Sequence, residues 1–99
     1  MAREPYTHTT WVVKPGLEET FVERWSDWAE WSRTEGFRAQ ALLLRDLENR
    51  RTFVSFGPWE SLDSVRRWRG SAGYQERVRR LHEVVESFEP RTFEAVERR

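Results

Sequence analysis

The sequence predicts an α+β domain: a four-stranded antiparallel sheet carrying its helices on one face. Three observations lead there. Short segments dense in β-branched and aromatic residues alternate with longer ones whose apolar residues recur at helical spacing. Pro15-Gly16 and Gly57-Pro58 punctuate the changes of period. The chain has 99 residues, 37% of them hydrophobic, enough for one core and too little for two, so residues 1–99 are read as a single domain.

Tyr6–Val13 is a strand by composition, closed by Pro15-Gly16. From Leu17 to about Thr34 the residues Leu17, Phe21, Trp25 and Trp28 fall within roughly an 80° arc of a helix. Val22 and Ala29 widen that stripe, Glu18 and Glu19 suit the first turn, and Gly36 supplies the stop. Phe37–Leu47 reads as a strand covered on both faces, with Ala39, Ala41 and Leu43 on one side and Leu42 and Leu44 on the other. Asp46–Arg50 is turn-prone, and Thr52–Phe56 resumes the strand pattern until Gly57-Pro58, giving a hairpin.

Ser61 is placed to cap a short helix with Leu62, Val65 and Trp68 inward, and Ser71 to cap a longer one after a break at Gly70. In the second piece Tyr74, Val78, Leu81, Val85 and Phe88 share one face, with Val84 beside them. Pro90 then terminates the helix, and Arg91–Val96 forms the last strand. The order βαββαβ, with the second helix broken, is that of a ferredoxin-like domain. Its second sheet face would be bare, and the two-faced Leu42-Leu43-Leu44 strand predicts a homodimer that stacks two such faces.

Composition removes several function classes. With no cysteine there are no disulfides, thiolate nucleophiles or cysteine-ligated metals. Seventeen basic residues balance seventeen acidic ones, so no field exists to hold a nucleic acid or an acidic membrane. The longest apolar run, Ala41–Leu44, cannot cross a bilayer, and the amino terminus has no hydrophobic stretch, so a cytoplasmic location is expected. No carboxylate pair, Ser/His/Asp set, phosphate-cradling glycine loop or metal-ligand cluster appears, which disfavours hydrolase and kinase chemistry. The arginine clusters around Trp68 and Val78 read as solvated faces paired with Glu76, Glu83 and Glu86; Arg77 falls inside the apolar arc and calls for a partner. Six tryptophans and six phenylalanines exceed what so small a core needs, so an interface or a ligand cavity is expected to use the surplus.

Ser55-Phe56-Gly57-Pro58-Trp59-Glu60-Ser61, then Trp68 and Tyr74, then Val84-Val85-Glu86-Ser87-Phe88-Glu89-Pro90 resemble the antibiotic biosynthesis monooxygenase family of dimeric α/β-barrel proteins. The resemblance spans nearly the whole chain. It implies a cavity between sheet and helices, used in some members to oxygenate aromatic phenols without metal or flavin and in others to bind and degrade haem. In the first branch an Asn, a Trp and a Tyr surround the substrate; Trp68 and Tyr74 match, and Ser64 stands at the Asn position. In the haem branch a helical His and a strand Asn are needed, where this chain has Val78 and Thr9, with His82 one turn further on. An electron-rich phenolate passes an electron to dioxygen itself, so the protein has only to desolvate, orient and stabilise it.

The candidate catalytic residues are therefore Tyr74, Trp68, His8 and His82: Tyr74 to hydrogen-bond a quinone-like oxygen, Trp68 to stack or donate, the histidines to accept a proton. Trp68, Tyr74, Trp25, Trp28, Phe56, Val78 and Arg77 are the expected substrate-lining residues, with no cofactor and no metal. Plain packing is the competing reading for each of them: Trp25 and Trp28 as core, Trp31 at the stripe's half-exposed edge, Trp59 as the anchor of the strand-to-helix turn, and His82 as a boundary residue. The expected function is cofactor-independent oxygenation of a small phenolic or polyketide-like molecule. The rival is a non-catalytic binding or structural dimeric module of the same fold, which the missing Asn favours.

Overall fold

The computed structural model describes residues 3–37 and 40–99. Strand β1 (Pro5–Val13) leads into helix α1 (Glu18–Ser32), which tightens into a 3-10 turn at Arg33–Glu35; β2 (Leu42–Arg45) and β3 (Thr52–Pro58) form the hairpin. Helices α2 (Leu62–Gly70) and α3 (Ala72–His82) precede the last strand, β4 (Val85–Glu94). The sheet is antiparallel throughout with order β2-β3-β1-β4. This is the ferredoxin-like α+β fold that the element order predicted, with three helices because the second breaks at Gly70.

Local chemistry places the boundaries. Gly36 adopts φ 112°, a left-handed geometry that a side chain resists, and so stops the turn after α1. Ser61 accepts from Ser64 N at 3.1 Å and Ser71 accepts from Tyr74 N at 3.1 Å, so both predicted caps form. Asp46 Oδ1 accepts from the backbone N–H groups of Glu48 and Asn49 and closes the hairpin turn.

Along β1, Thr7, Thr9, Trp11 and Val13 face the helices and are buried, while Tyr6, His8, Thr10 and Val12 lie on the outer face. Register extends the two faces across the sheet. Leu42, Phe56, His8 and Arg91 align on the outside, as do Leu44, Val54 and Thr10. The core lies between the inner face and the helices, built on Trp11, Phe21, Phe53, Trp59, Val65, Trp68, Leu81 and Val85.

Four expectations are corrected. The second helix does not run to Phe88; it ends at His82, and Val85, Phe88 and Pro90 belong to β4. The misleading spacing has a physical origin. β4 pairs Val85 with Val13, Ser87 with Val12 and Phe88 with Trp11, so Glu86 is an extra, bulged residue. One inserted residue lets positions three apart share a strand face, the same separation that places them on one face of a helix. Pro90 is accommodated because β4 has a neighbour on one side only. Strand β2 is only four residues long; Phe37 instead makes an isolated bridge to Trp59, and Ala39 lies outside the described residues. Gly57 and Pro58 continue β3 rather than end it, beyond the point where β2 stops pairing. Leu62, expected inward, is exposed in the first position of α2.

Candidate functional site

The inner face of the sheet meets α1 and α2 through a connected slab of aromatic rings. Trp28 lies 5.5 Å from Trp11 and 5.3 Å from Trp68, centroid to centroid; Trp68 lies 4.6 Å from Trp59 and meets the edge of Tyr74 at 4.7 Å. The placement of Trp28 on the inner stripe of α1 and of Trp68 on α2, together with the Ser71 cap that starts α3 just before Tyr74, brings these rings together. Sequence spacing thus found the cluster.

Three indole N–H groups in the slab each end on a hydroxyl. Trp68 Nε1 donates to Ser32 Oγ at 2.8 Å, Trp59 Nε1 to Thr7 Oγ1 at 2.9 Å, and Trp11 Nε1 to Ser55 Oγ at 3.0 Å. Ser32 donates onward to the Trp28 carbonyl at 2.7 Å. These pairs fix ring orientation in a region where an unmatched donor costs about 1–3 kcal/mol. Ser32→Ala is accordingly expected to destabilise the fold by about 1–3 kcal/mol, by stranding the Trp68 N–H. Urea unfolding followed by fluorescence measures this, and a shift below the fitting error would show the bond to be dispensable.

The sequence reading missed Thr7, Ser32 and Ser55. The available signal was hydroxyl residues at strand parity with Trp11 (Thr7) and Phe53 (Ser55) and one helical turn beyond Trp28 (Ser32), on faces that otherwise carry apolar side chains. They border a cavity of about 20 Å³ between sheet and helices, together with Thr9, Trp25, Trp28, Ala29, Phe37, Ala41, Phe56 and Trp68. A larger groove of about 720 Å³ runs outside, along α1 and the β2–β3 edge, with Val22, Trp25, Leu43 and Phe53 as floor and Glu18, Glu19, Glu23 and Arg45 among its rim. Of the sequence-predicted site residues it touches Trp25 alone.

Tyr74 sits behind Trp68 and Trp28, half-buried. Burial pushes its hydroxyl above the ordinary tyrosine value, partly opposed by the positive charge and hydrogen bond of Arg69. The residue is therefore a neutral donor at physiological pH. Arg69 itself donates to Thr92 Oγ1 and, at 3.0 Å, to the Arg91 carbonyl, tying α2 to β4 beside that hydroxyl. A raised pKa favours the protonated form in the folded state. The stabilisation linked to Tyr74 is thus complete below the ordinary tyrosine pKa and disappears as pH rises through the raised value. Tyr74→Phe should flatten the alkaline fall in stability, which denaturation midpoints measured across that range would reveal.

The remaining candidates are dispersed. His8 projects from the outer sheet face, stacked at 6.5 Å on Phe56 and edge-on at 5.7 Å to Phe93, with the sheet between it and Tyr74. His82 is exposed at the end of α3 against Phe88, 5.1 Å away. Val78 is buried in the core. Arg77 has the partners its position demanded, the Trp31 ring at 4.4 Å and the Asp27 carboxylate at 3.8 Å. Ser64, at the Asn position, bonds locally with Ser61, 3.0 Å away, and accepts from Arg67 at 3.3 Å. At the helical His position of the haem branch stands Val78, which offers no ligand, and His82 is exposed outside the core. Among the described residues no group of three His, Asp or Glu could hold a metal ion, and no helix is long and apolar enough to cross a membrane.

Comparison with known proteins agrees with this geometry. No curated protein sequence matches the chain. Among solved structures, SnoaB of Streptomyces nogalater, a cofactor-independent oxygenase, superposes with a TM-score of 0.87 at 20% identity, covering 98% of this chain and 97% of that one. PA3566 of Pseudomonas aeruginosa superposes at 0.79 with 15% identity and 98% coverage of both chains. Rv0793 of Mycobacterium tuberculosis superposes at 0.80 with 14% identity, covering 96% and 97%. At such identities these likenesses establish the fold. The model of one sequence family matches residues 6–80, and the chain accordingly belongs to the antibiotic biosynthesis monooxygenase family.

Proposed function

We propose that the protein is a cofactor-independent oxygenase of a small aromatic phenol, and that Tyr74 and Trp68 form its substrate contact. The observation that carries this is the edge contact of Tyr74 with Trp68, where a neutral hydroxyl backed by a guanidinium stands at the end of an aromatic wall. Such a group donates to a phenolate or quinone-type oxygen without itself ionising. The Trp68–Ser32 bond holds the wall in place. The substrate enters as its phenolate, having lost its proton to solvent, and gives electrons to dioxygen directly. His8 lies on the outer face of the sheet and His82 eight residues along α3 from Tyr74, so neither is given a part in this step.

Oxygen uptake with anthrone-type and naphthol-type phenols, without added metal or flavin, tests the reading. Protein-dependent consumption is expected, and Tyr74→Phe should lower kcat about a hundredfold, the usual effect of removing one donor at developing charge. No consumption with any phenol overturns it. Tryptophan quenching by those phenols without consumption would instead favour the non-catalytic binding module, a reading supported by the local engagement of Ser64.

The working unit in this reading is a homodimer joined through the outer sheet faces. Leu42, Leu44 and Phe93 are 48%, 47% and 50% exposed there, beside His8 and Phe56. Light scattering at micromolar concentration should give twice the chain mass, and Leu44→Arg should halve it; a wild-type monomer would refute the dimer.

A further inference from the structure

We infer that the groove between α1 and the β2–β3 edge binds an organic cation, a small molecule that joins a ring-sized apolar body to a protonated amine. The site stands apart from the contact of Tyr74 with Trp68, and its chemistry is independent of the oxygenase reading.

The groove opens where α1 leaves the inner face of β2 uncovered. Phe21 of α1 meets Trp11 on β1 at 5.3 Å and Phe53 on β3 at 5.0 Å, so the helix is seated over those two strands. On β2 the inward parity falls to Leu43 and Arg45, the latter in register with Phe53, and a space of about 720 Å³ separates them from α1. That volume lies within the roughly 300–1,000 Å³ of small-molecule sites. Val22, Trp25, Leu43 and Phe53 make an apolar floor, and Val22 is 37% exposed, so the floor is open to a ligand.

The rim selects the charge. Glu18, Glu19 and Glu23 stand on the α1 side, and among the described residues none of their carboxylates has an ion-pair or hydrogen-bond partner. Glu18 and Glu19 lie in the first turn, where the helix dipole favours them, but Glu23 lies beyond it. One oxygen of Glu18 is closed to solvent and has no donor, although a buried acceptor is normally matched. An ammonium group supplies the donor and the opposite charge together. Arg45 is the one cation among the lining residues, and its guanidinium lies over the Phe53 ring at 4.7 Å. Its Nε lacks an acceptor, yet an anion placed there would face three carboxylates. Among the described residues no group of three His, Asp or Glu could hold a metal ion, so the cation has to bring apolar surface of its own to the floor.

Titration of the full chain, labelled with nitrogen-15, against three naphthalenes that differ chiefly in charge provides the test: 1-naphthylmethylamine, 1-naphthylmethanol and 1-naphthoate. The amine should bind about five- to tenfold more tightly than the alcohol, the gain expected of two or three partly exposed ion contacts, and the carboxylate should bind most weakly. Amide shifts should centre on Val22, Leu43 and Phe53. Glu19→Gln combined with Glu23→Gln should remove the amine's advantage and leave the alcohol's affinity unchanged. Val22→Arg, which sets a cation on the floor, should abolish amine binding. All three positions are exposed, so the variant spectra should otherwise match the wild type. Equal affinity for amine and alcohol, or a preference for the carboxylate, overturns the site. So do amine-induced shifts centred on Tyr74 and Trp68 in place of the groove, and the absence of any shift up to the solubility of the amine.

Discussion

Trp11→Ala should destabilise the fold by about 3–5 kcal/mol, the largest effect expected of any single truncation here. The ring has no exposed surface and is gripped on three sides, at 5.3 Å from Phe21, 5.5 Å from Trp28 and 5.0 Å from Phe88. It therefore joins α1 and β4 across the central strand. Removing it leaves a void that rigid neighbouring rings fill poorly and deprives Ser55 of its donor. A domain of this length loses about 4–8 °C of Tm per kcal/mol, so the variant should unfold near or below ordinary growth temperatures if the parent has typical mesophilic stability. Denaturant titration and calorimetry check this. Trp11→Phe should fall well short of that loss, and a cost for Trp11→Ala below about 1 kcal/mol would mean that the aromatic slab is not the structural centre.

The second large effect comes from adding atoms. A Cβ on Gly57 would lie far inside contact distance of the Phe37 ring and close to the Ala41 backbone. Phe37 in turn stacks on Trp59 at 5.0 Å and carries the bridge that replaces the missing first half of β2. Gly57→Ala should then cost about 1–3 kcal/mol, since overfilling a close-packed site forces strain on its neighbours. The mechanism makes a sharper claim than the magnitude. In a Phe37→Ala background the same substitution should cost much less, giving a coupling energy of about 0.5–3 kcal/mol in a double-mutant cycle. Strict additivity would show that the glycine is required for some reason other than that ring.

Much of the architecture was legible because it rests on short-range signals. The Ser61 and Ser71 caps, Gly36 and the alternation along β1 act within a few residues, and the structure realises each. The start of β4 was not legible, because a bulge at Glu86 and a helical turn both align residues three apart, and single-sequence periodicity cannot separate them. Pairing with β1 decides, through partners more than seventy positions away. The same limit applied to the site. Trp28, Trp68 and Tyr74 converge as helical spacing implied, and Trp25 borders the same small cavity as Trp28 and Trp68. The face of β1 occupied by His8 was undetermined by the sequence alone, and the register places it on the side away from the helices. The hydroxyl partners Thr7, Ser32 and Ser55 come from three separate elements, so no local pattern ties them to their tryptophans.

Pro90, seated within β4, also bears on how this molecule can grow. Strand β4 forms one border of the sheet, and a proline there removes a donor from the row that a newcomer would need. The opposite border, β2, offers only four residues, too short to template a lasting ladder. Both margins therefore resist strand-by-strand addition, the route to runaway fibre assembly. What this sheet acquires it must acquire broadside, through side chains, and such an association closes on itself at a finite size.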